Sequence, residues 1–393
     1  MPQQYDYIIT GAGCAGLSLL YRMLRQPFFS GRKILLIDKQ QKINNDRTWC
    51  FWEKQPGVFE DIVYCRWKQI DFYSNEFSAR YDLEPYEYKM IRGIDLYETV
   101  LTEAKRSPNV TIVYDEVLSV LHQQGLALVN TTTDQFSASY IFNSIFFNDW
   151  KQQVIQQKNV HLLLQHFKGW LIETGKDYFN ERIATFMDFR IAQNKGTAFI
   201  YVLPVASNKA LVEYTLFSEN VLKPNEYDAE LARYIHEVLN VDKFSVQHEE
   251  YGLIPMTDHK FSKGANGLIN IGTAGGQTKG STGYTFQFIQ KHSAKIIDAL
   301  MQDNDPVITQ GFASKRYRLY DSILLKVLTQ KRMEGDKLFS LLFKKNATGT
   351  LLKFLDNESS FKEELKVMNS MPAGIFMPIA IQKILSNLVA EFF

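Results

Sequence analysis

The sequence predicts an α/β protein in which a Rossmann-like dinucleotide-binding domain is interleaved with a mixed β-sheet domain and followed by a helical C-terminal part. Three observations predict it. A strand, a glycine turn, a helix, a second strand and an acid follow one another at the start of the chain. A second glycine-rich segment, 272–283, again follows a strand and opens a helix, so the chain leaves the nucleotide domain and returns to it. Between and beyond these turns the pattern changes, from β-branched and aromatic alternation over 161–218 to helical spacing after 310.

The first unit reads residue by residue. Tyr5 to Thr10 is a β-rich run, Gly11-Ala12-Gly13-Cys14-Ala15-Gly16 follows at once, and Leu17 to Arg25 has helical periodicity. Lys33 to Ile37 is a buried-strand pattern that ends at Asp38. Gly11 makes the tight turn, Gly13 lets backbone approach a pyrophosphate, and Gly16 lets the helix pack close to the sheet. The helix N-terminus supplies unpaired N–H groups and partial positive charge for phosphates. Asp38 can accept from a ribose hydroxyl, which fits FAD or NAD and argues against NADP. A glycine turn with a purely structural task is the competing reading.

Further along, 69–73, 110–114 and 140–147 read as strands, and 94–106 and 226–240 as helices. Residues 268–271 form a strand before Gly272-Thr273-Ala274-Gly275-Gly276, and Thr282-Gly283 opens a long helix over 284–301. A second helix N-terminus returning to the same ligand is how two-part FAD domains hold the flavin end, which favours FAD over NAD. The expected division is an FAD-binding domain of 1–65 and 245–310 with parts of 90–150, a mixed-sheet substrate domain of 66–90 and 150–244, and a helical region of 311–393.

Composition removes several classes. With 44 basic and 43 acidic residues among 393, the formal charge of +1 offers nothing to nucleic acid. Hydrophobic residues at 45% and charged at 22% describe a folded globular chain. Cys14, Cys50 and Cys65 are too few and too scattered for a disulfide scaffold or a CxxC pair, and fit a reducing, cytoplasmic compartment. His161, His166, His248 and His259 lack ligand spacing, so no metal is expected. No signal peptide pattern is expected before the first strand, and no apolar run reaches the roughly 18 residues of a membrane span. Aromatic residues make up 13% of the chain, which suits a large apolar cavity and equally suits aromatic-rich cores.

The segment Asn45-Asp46-Arg47-Thr48-Trp49-Cys50-Phe51-Trp52 resembles a signature of the lycopene cyclases. Further matches follow in family order: His166 to Trp170 resembles QHFKGW, Phe186 to Arg190 resembles FMD(W/Y/F)R, and Leu211 to Thr215 is similar to FLEET. Glu250-x-Gly252-x-Ile254-Pro255-Met256 and Gly272 to Tyr284 complete the series, so the resemblance spans residues 5–284. Two departures stand out. FLEET has adjacent glutamates, and here only Glu213 is present, with Tyr214 in the second place. Lys279-Gly280 stands where the family often has His-Pro.

The resemblance implies a cyclase that turns lycopene, by way of γ-carotene, into β-carotene without net redox change. It implies FAD active in its reduced form, with NAD(P)H no more than an indirect electron source. It implies that Glu213 is the acid that protonates a terminal alkene. That demand agrees with residue chemistry: an apolar pocket keeps a carboxyl protonated and excludes water that would quench a carbocation. Asp188 is the second expected catalytic carboxylate, either as the base that removes the last proton, as support to the acid, or simply as the ion-pair partner of Arg190. Trp49, Phe51, Trp52 and Arg190 are expected around the substrate, the aromatic rings either stabilising a cation or packing a core. Arg47 is expected on a cofactor phosphate or in a surface ion pair.

A hydrocarbon substrate implies docking at a lipid surface. Met377, Ile381, Ile384, Leu385, Leu388 and Phe392 fall on one helical stripe, and 337–345 mixes Leu, Phe and Lys as an interfacial segment would. The competing reading packs both against the core. Two other functions stay open: an FAD-dependent monooxygenase of an apolar substrate, and a carotenoid- or flavin-binding protein without activity. Ring type, β or ε, is also open.

Overall fold

A computed structural model describes residues 2–123, 126–147, 150–157, 159–309 and 311–392. The first unit forms as its pattern requires. Strand Gln3–Thr10 runs into helix Cys14–Leu24, and Ile34–Asp38 returns beside it in parallel. Gly11 takes a positive φ of 94°, and a Cβ on Gly16 would fall 2.0 Å from the Gly11 carbonyl, so only glycine allows this turn and helix to pack so closely.

Among the described residues the strands form three sheets, of eight, seven and three strands. The first sheet is parallel at its centre, where Gln3–Thr10 lies between Gln135–Asn143 and Ile34–Asp38. Leu268–Asn270 pairs in parallel with Gln135–Asn143, so the chain returns late to the sheet of the first unit. Helix Phe286–Met301 then lies against Cys14–Leu24, joined by a buried bond from Gln290 Nε2 to Ser18 Oγ at 2.8 Å.

The second sheet runs in the order Phe244–Thr257, Leu162–Thr174, Lys209–Ser218, Thr197–Ala206, Ile183–Asp188, Gln69–Tyr73 and Ser78–Asp82. The expected boundary at 245 therefore moves: Phe244–Thr257 belongs to this sheet and not to the nucleotide domain. The sheet is buried on both faces, which is why alternation here is apolar on both sides. On one face Val212, Tyr214 and Leu216 pack with Tyr227, Leu231 and Tyr234 of helix Pro224–Glu237. On the other, Phe199, Tyr201, Leu211 and Phe217 share a core with the C-terminal helices.

The third sheet joins Thr48–Glu53 to Glu87–Arg92, with Cys65–Trp67 on the far side. It carries the NDRTWCFW segment. Its placement corrects a second boundary, since 87–92 pairs with 48–53 rather than with the mixed sheet.

Beyond 311 the chain is helical. The segment expected at an interface, 337–345, lies in helix Gly335–Lys345 and is core. Phe343 stacks on Phe72 at 4.5 Å and Phe339 on Phe189 at 5.8 Å. The last helix, Ala373–Phe392, differs: Met377, Ile381, Ile384 and Leu385 are 57%, 52%, 44% and 58% exposed. The side chains of Leu388 and Phe392 lie outside the described residues. Among the described residues no helix is long and apolar enough to cross a membrane.

Candidate functional site

A cavity of about 600 Å³ opens where the three sheets meet. At one end Gly13, Cys14 and Ala15 present the start of the first helix, and Gly272, Thr273, Thr285 and Phe286 present the second glycine turn and the start of its helix. Two helix N-termini therefore converge on one space, each with first-turn N–H groups that no carbonyl of its own helix can satisfy. A Cβ built on Gly13 meets nothing within 4 Å, so backbone is open to the cavity there. Gly283, at φ 73°, also lines it, and a Cβ there would lie 2.1 Å from Gln165 Oε1. That buried oxygen has no donor among the described residues.

These features fit a bound dinucleotide. Backbone of Gly13, Cys14 and Ala15 would take the pyrophosphate and the 272–286 turn the far end. The other predicted cofactor residues have supporting positions. Asp38 does not face the cavity. Its Oδ2 accepts from Ala12 N at 2.6 Å and its Oδ1 from Gln40 N at 3.1 Å, so it shapes the glycine turn. Gly11 and Gly16 hold that turn from below. Gly275 is a tight turn whose Cβ would strike the Asn270 carbonyl at 2.1 Å, and Thr282 is buried beside Gly283. Arg47 stands at the cavity wall, donating to the Tyr251 carbonyl at 3.3 Å. Lys279 points away. It pairs with Asp321 at 2.9 Å, donates to Asn357 Oδ1 at 2.8 Å, and so ties the turn to the C-terminal helices.

The other end of the cavity is built by the second and third sheets. Glu213 lies there because its strand alternates: Leu211, Glu213, Thr215 and Phe217 face away from helix Pro224–Glu237. The sheet register places Tyr201, Glu213, Gly169 and Glu250 in one row across four strands. Glu213 Oε1 accepts from Thr215 Oγ1 at 2.8 Å. Burial pushes the Glu213 carboxyl well above the ordinary carboxylate range, and the neighbouring Glu250 pushes it further. Glu250 is likewise raised, first by burial, although Thr48 Oγ1 donates to its Oε2 at 2.6 Å. The floor holds further proton-retaining groups: Cys50, Tyr88, Tyr201 and Tyr284 are all raised, burial being the first cause in each.

Of the expected substrate residues, Trp49 lines the cavity and meets Tyr97 edge-on. Phe51 and Trp52 do not line it. Phe51 stacks on Phe286 at 4.3 Å, and Trp52 is buried against Tyr284 and Phe186. Their work is packing. Asp188 and Arg190 are also elsewhere. Asp188 pairs in register with Ile200, whose side chain joins the cluster under helix Pro224–Glu237. There its Oδ2 accepts from Tyr234 Oη at 2.7 Å and from Arg190 Nη2 at 2.6 Å. It therefore lies on the opposite face of the sheet from Glu213, and the ion-pair reading of Asp188 and Arg190 is the one the geometry supports. Cys50, Tyr88, Tyr201 and the role of Glu250 were missed. Cys50 was visible inside NDRTWCFW, two residues from Thr48 and so on the same strand face; the others depend on cross-strand register. Among the described residues no group of three metal-ligating side chains is present.

The family described as "Lycopene cyclase protein" matches this chain over residues 6–380. The chain belongs to the lycopene cyclase family. No curated protein matches the sequence. Solved structures share its fold at low identity. A geranylgeranyl bacteriochlorophyll reductase-like protein from Thermoplasma acidophilum has a TM-score of 0.59 and 14% identity, covering 97% of this chain and 99% of that one. The flavin-dependent brominase Bmp2 has a TM-score of 0.63 and 11% identity, covering 93% and 98%. A flavoprotein/dehydrogenase from Cytophaga hutchinsonii has a TM-score of 0.62 and 12% identity, covering 98% and 100%. The lycopene cyclase family chain thus shares its α/β fold with these proteins.

Proposed function

We propose that this chain is a lycopene β-cyclase that binds FAD between its two glycine turns and closes the linear ends of lycopene, through γ-carotene, to β-rings. The observation that carries the reading is the position of Glu213: a carboxyl whose burial favours its protonated form, in the same cavity as the two helix N-termini. An alkene is a very weak base, so its protonation needs an acid held protonated at neutral pH and shielded from water. Glu213 gives a proton to the terminal double bond. The cation is attacked by the neighbouring double bond, a six-membered ring closes, and loss of a ring proton leaves the β-ring. Atoms and electrons balance with no oxidant. Reduced flavin, when bound, supplies negative charge that favours the cation. Trp49 and Tyr201 line the same cavity and supply aromatic rings for that charge.

Lycopene lives in lipid, and the exposed apolar face at Met377, Ile381, Ile384 and Leu385 supplies a surface that suits a bilayer interface. We assign docking to that face.

The test is anaerobic incubation of the protein with lycopene in liposomes and dithionite-reduced FAD. β-Carotene forming while the flavin stays reduced supports the cyclase. Lycopene returned unchanged by flavin-loaded protein overturns it, and NADPH-dependent oxygen uptake would then identify a monooxygenase.

A further inference from the structure

Gly169 sits in the middle of strand Leu162–Thr174, with Glu213 opposite it on one side and Glu250 on the other. Residues in one row across neighbouring strands project to the same face. Any side chain at 169 would stand between the two carboxyls: a Cβ there would lie 3.0 Å from both Glu250 Cγ and Leu211 Cδ1, and 3.3 Å from Glu250 Oε1. Glycine inside a strand weakens it and marks a close approach of other groups. Here the groups that approach are two glutamates from strands that are not themselves paired.

Each carboxyl has one hydroxyl donor, Thr215 for Glu213 and Thr48 for Glu250. Among the described residues neither makes an ion pair, and Glu250 Oε1 is buried with no N–H or hydroxyl donor. Glu213 and Glu250 are within side-chain hydrogen-bonding reach of each other, so a carboxyl proton on Glu213 can satisfy that oxygen. Two adjacent buried carboxyls that have no ion pair of their own resist ionising together, so the pair holds a proton jointly.

We propose that Glu213 and Glu250 act as one proton-sharing dyad across the gap left by Gly169, Glu250 being the positioning residue that keeps the proton on Glu213, which lends it to the alkene and takes one back when the ring is complete. The inference rests on the cyclase reading for its chemistry. The Glu213 O–H breaks as a C–H bond forms at the terminal alkene. The dyad is then doubly negative beside the cation. The ring C–H breaks, its electron pair becomes the ring double bond, and its proton returns to the dyad. One proton is lent and recovered per ring. Asp188, on the other face of the sheet, has no part in this.

The groups facing the dyad are Cys50 from the third sheet, Tyr88 beside it, Tyr201 in the same row, and His248 and Arg47 near Glu250. The hydroxyl and thiol groups among them are raised and stay neutral near pH 7. The test uses the flavin-loaded protein and infrared difference spectroscopy of the protonated-carboxyl carbonyl band over pH. In the wild type a band that Glu213→Gln abolishes should persist above about pH 7. Glu250→Gln removes the second charge and should move its titration down by at least about one pH unit. The alkaline limb of kcat should move with it, kcat at neutral pH should fall at least about tenfold, and the KM for lycopene should change less than about threefold. Gly169→Ala, which removes no carboxyl, should give the same downward shift by wedging the pair apart. If both variants leave the band and the kcat profile where the wild type has them, the dyad is overturned while the cyclase stands. If the band shifts as described and the wild type cyclises nothing, the cyclase reading fails and the dyad stands.

Discussion

Gly272 and Ala15 touch. A Cβ on Gly272 would fall 2.7 Å from the Ala15 Cβ, so the two glycine turns, from opposite ends of the nucleotide domain, close on each other with no room for a side chain. That contact sets the width of the cradle in which both helix N-termini converge.

Gly272→Val should therefore cost flavin before it costs fold. Gly272 has φ 62°, a conformation that costs an ordinary residue about 1–2 kcal/mol, and the new side chain must also displace the first helix turn. FAD affinity, by flavin fluorescence titration, is expected to weaken at least about tenfold, with far-ultraviolet circular dichroism retained. Wild-type affinity in this variant would show that the turn does not form the cradle.

Glu213→Gln keeps the shape and the Thr215 bond and removes the proton that reacts. Turnover of lycopene is expected to fall by about 10²–10⁴, the range of a lost general acid, with FAD affinity unchanged. Turnover within about threefold of wild type would remove Glu213 from its assigned role.

Stability should depend on pH through the same carboxyl. Above the ordinary carboxylate range the unfolded chain releases the Glu213 proton while the folded chain keeps it. The folded state then binds more protons, so stability falls as pH rises between the unfolded value and the raised folded one. Glu213→Gln escapes that loss. Its Tm should match the wild type near about pH 4 and exceed it by a few degrees near about pH 8. Equal Tm values at both pH values would mean that the carboxyl is ionised in the folded state.

Asp188→Asn should act on folding. It weakens the bonds that buried Asp188 accepts from Tyr234 and from the exposed Arg190, a loss of about 1–3 kcal/mol. A lower Tm is expected, with kcat of the folded fraction within about threefold of wild type. A loss of kcat at unchanged Tm would return Asp188 to the chemistry.

Ile381→Ser combined with Leu385→Ser should abolish co-sedimentation with anionic liposomes and leave FAD affinity alone, since both side chains are more than half exposed and remote from the cradle. Liposome binding equal to wild type would place docking on another face.

The nucleotide unit was legible because its signals are local. Alternating and helical periods, three glycines and one acid sit within one short stretch, and the structure reproduces each element to within a few residues. Glu213 was legible through resemblance and an apolar strand. The row Tyr201–Glu213–Gly169–Glu250 was not, because its members come from four strands and meet only through register. Asp188 stayed open between three readings for a related reason. A carboxylate between bulky apolar residues looks the same on either face of a sheet covered on both sides, and only the position of Tyr234 decides which face it takes. Helix Gly335–Lys345 was amphipathic enough to suggest an interface, but an apolar stripe does not say what covers it; Phe72 and Phe189 do.

Lys279 and Asp321 fasten the second glycine turn to helix Phe312–Thr329, with Ser281 donating to the same carboxylate at 2.6 Å. The cradle and the C-terminal third of the chain consequently share one mechanical fate. Seating a ligand at the turn should shield distant helices from proteases, and clipping those helices should release the ligand, although they contribute nothing to its immediate surroundings.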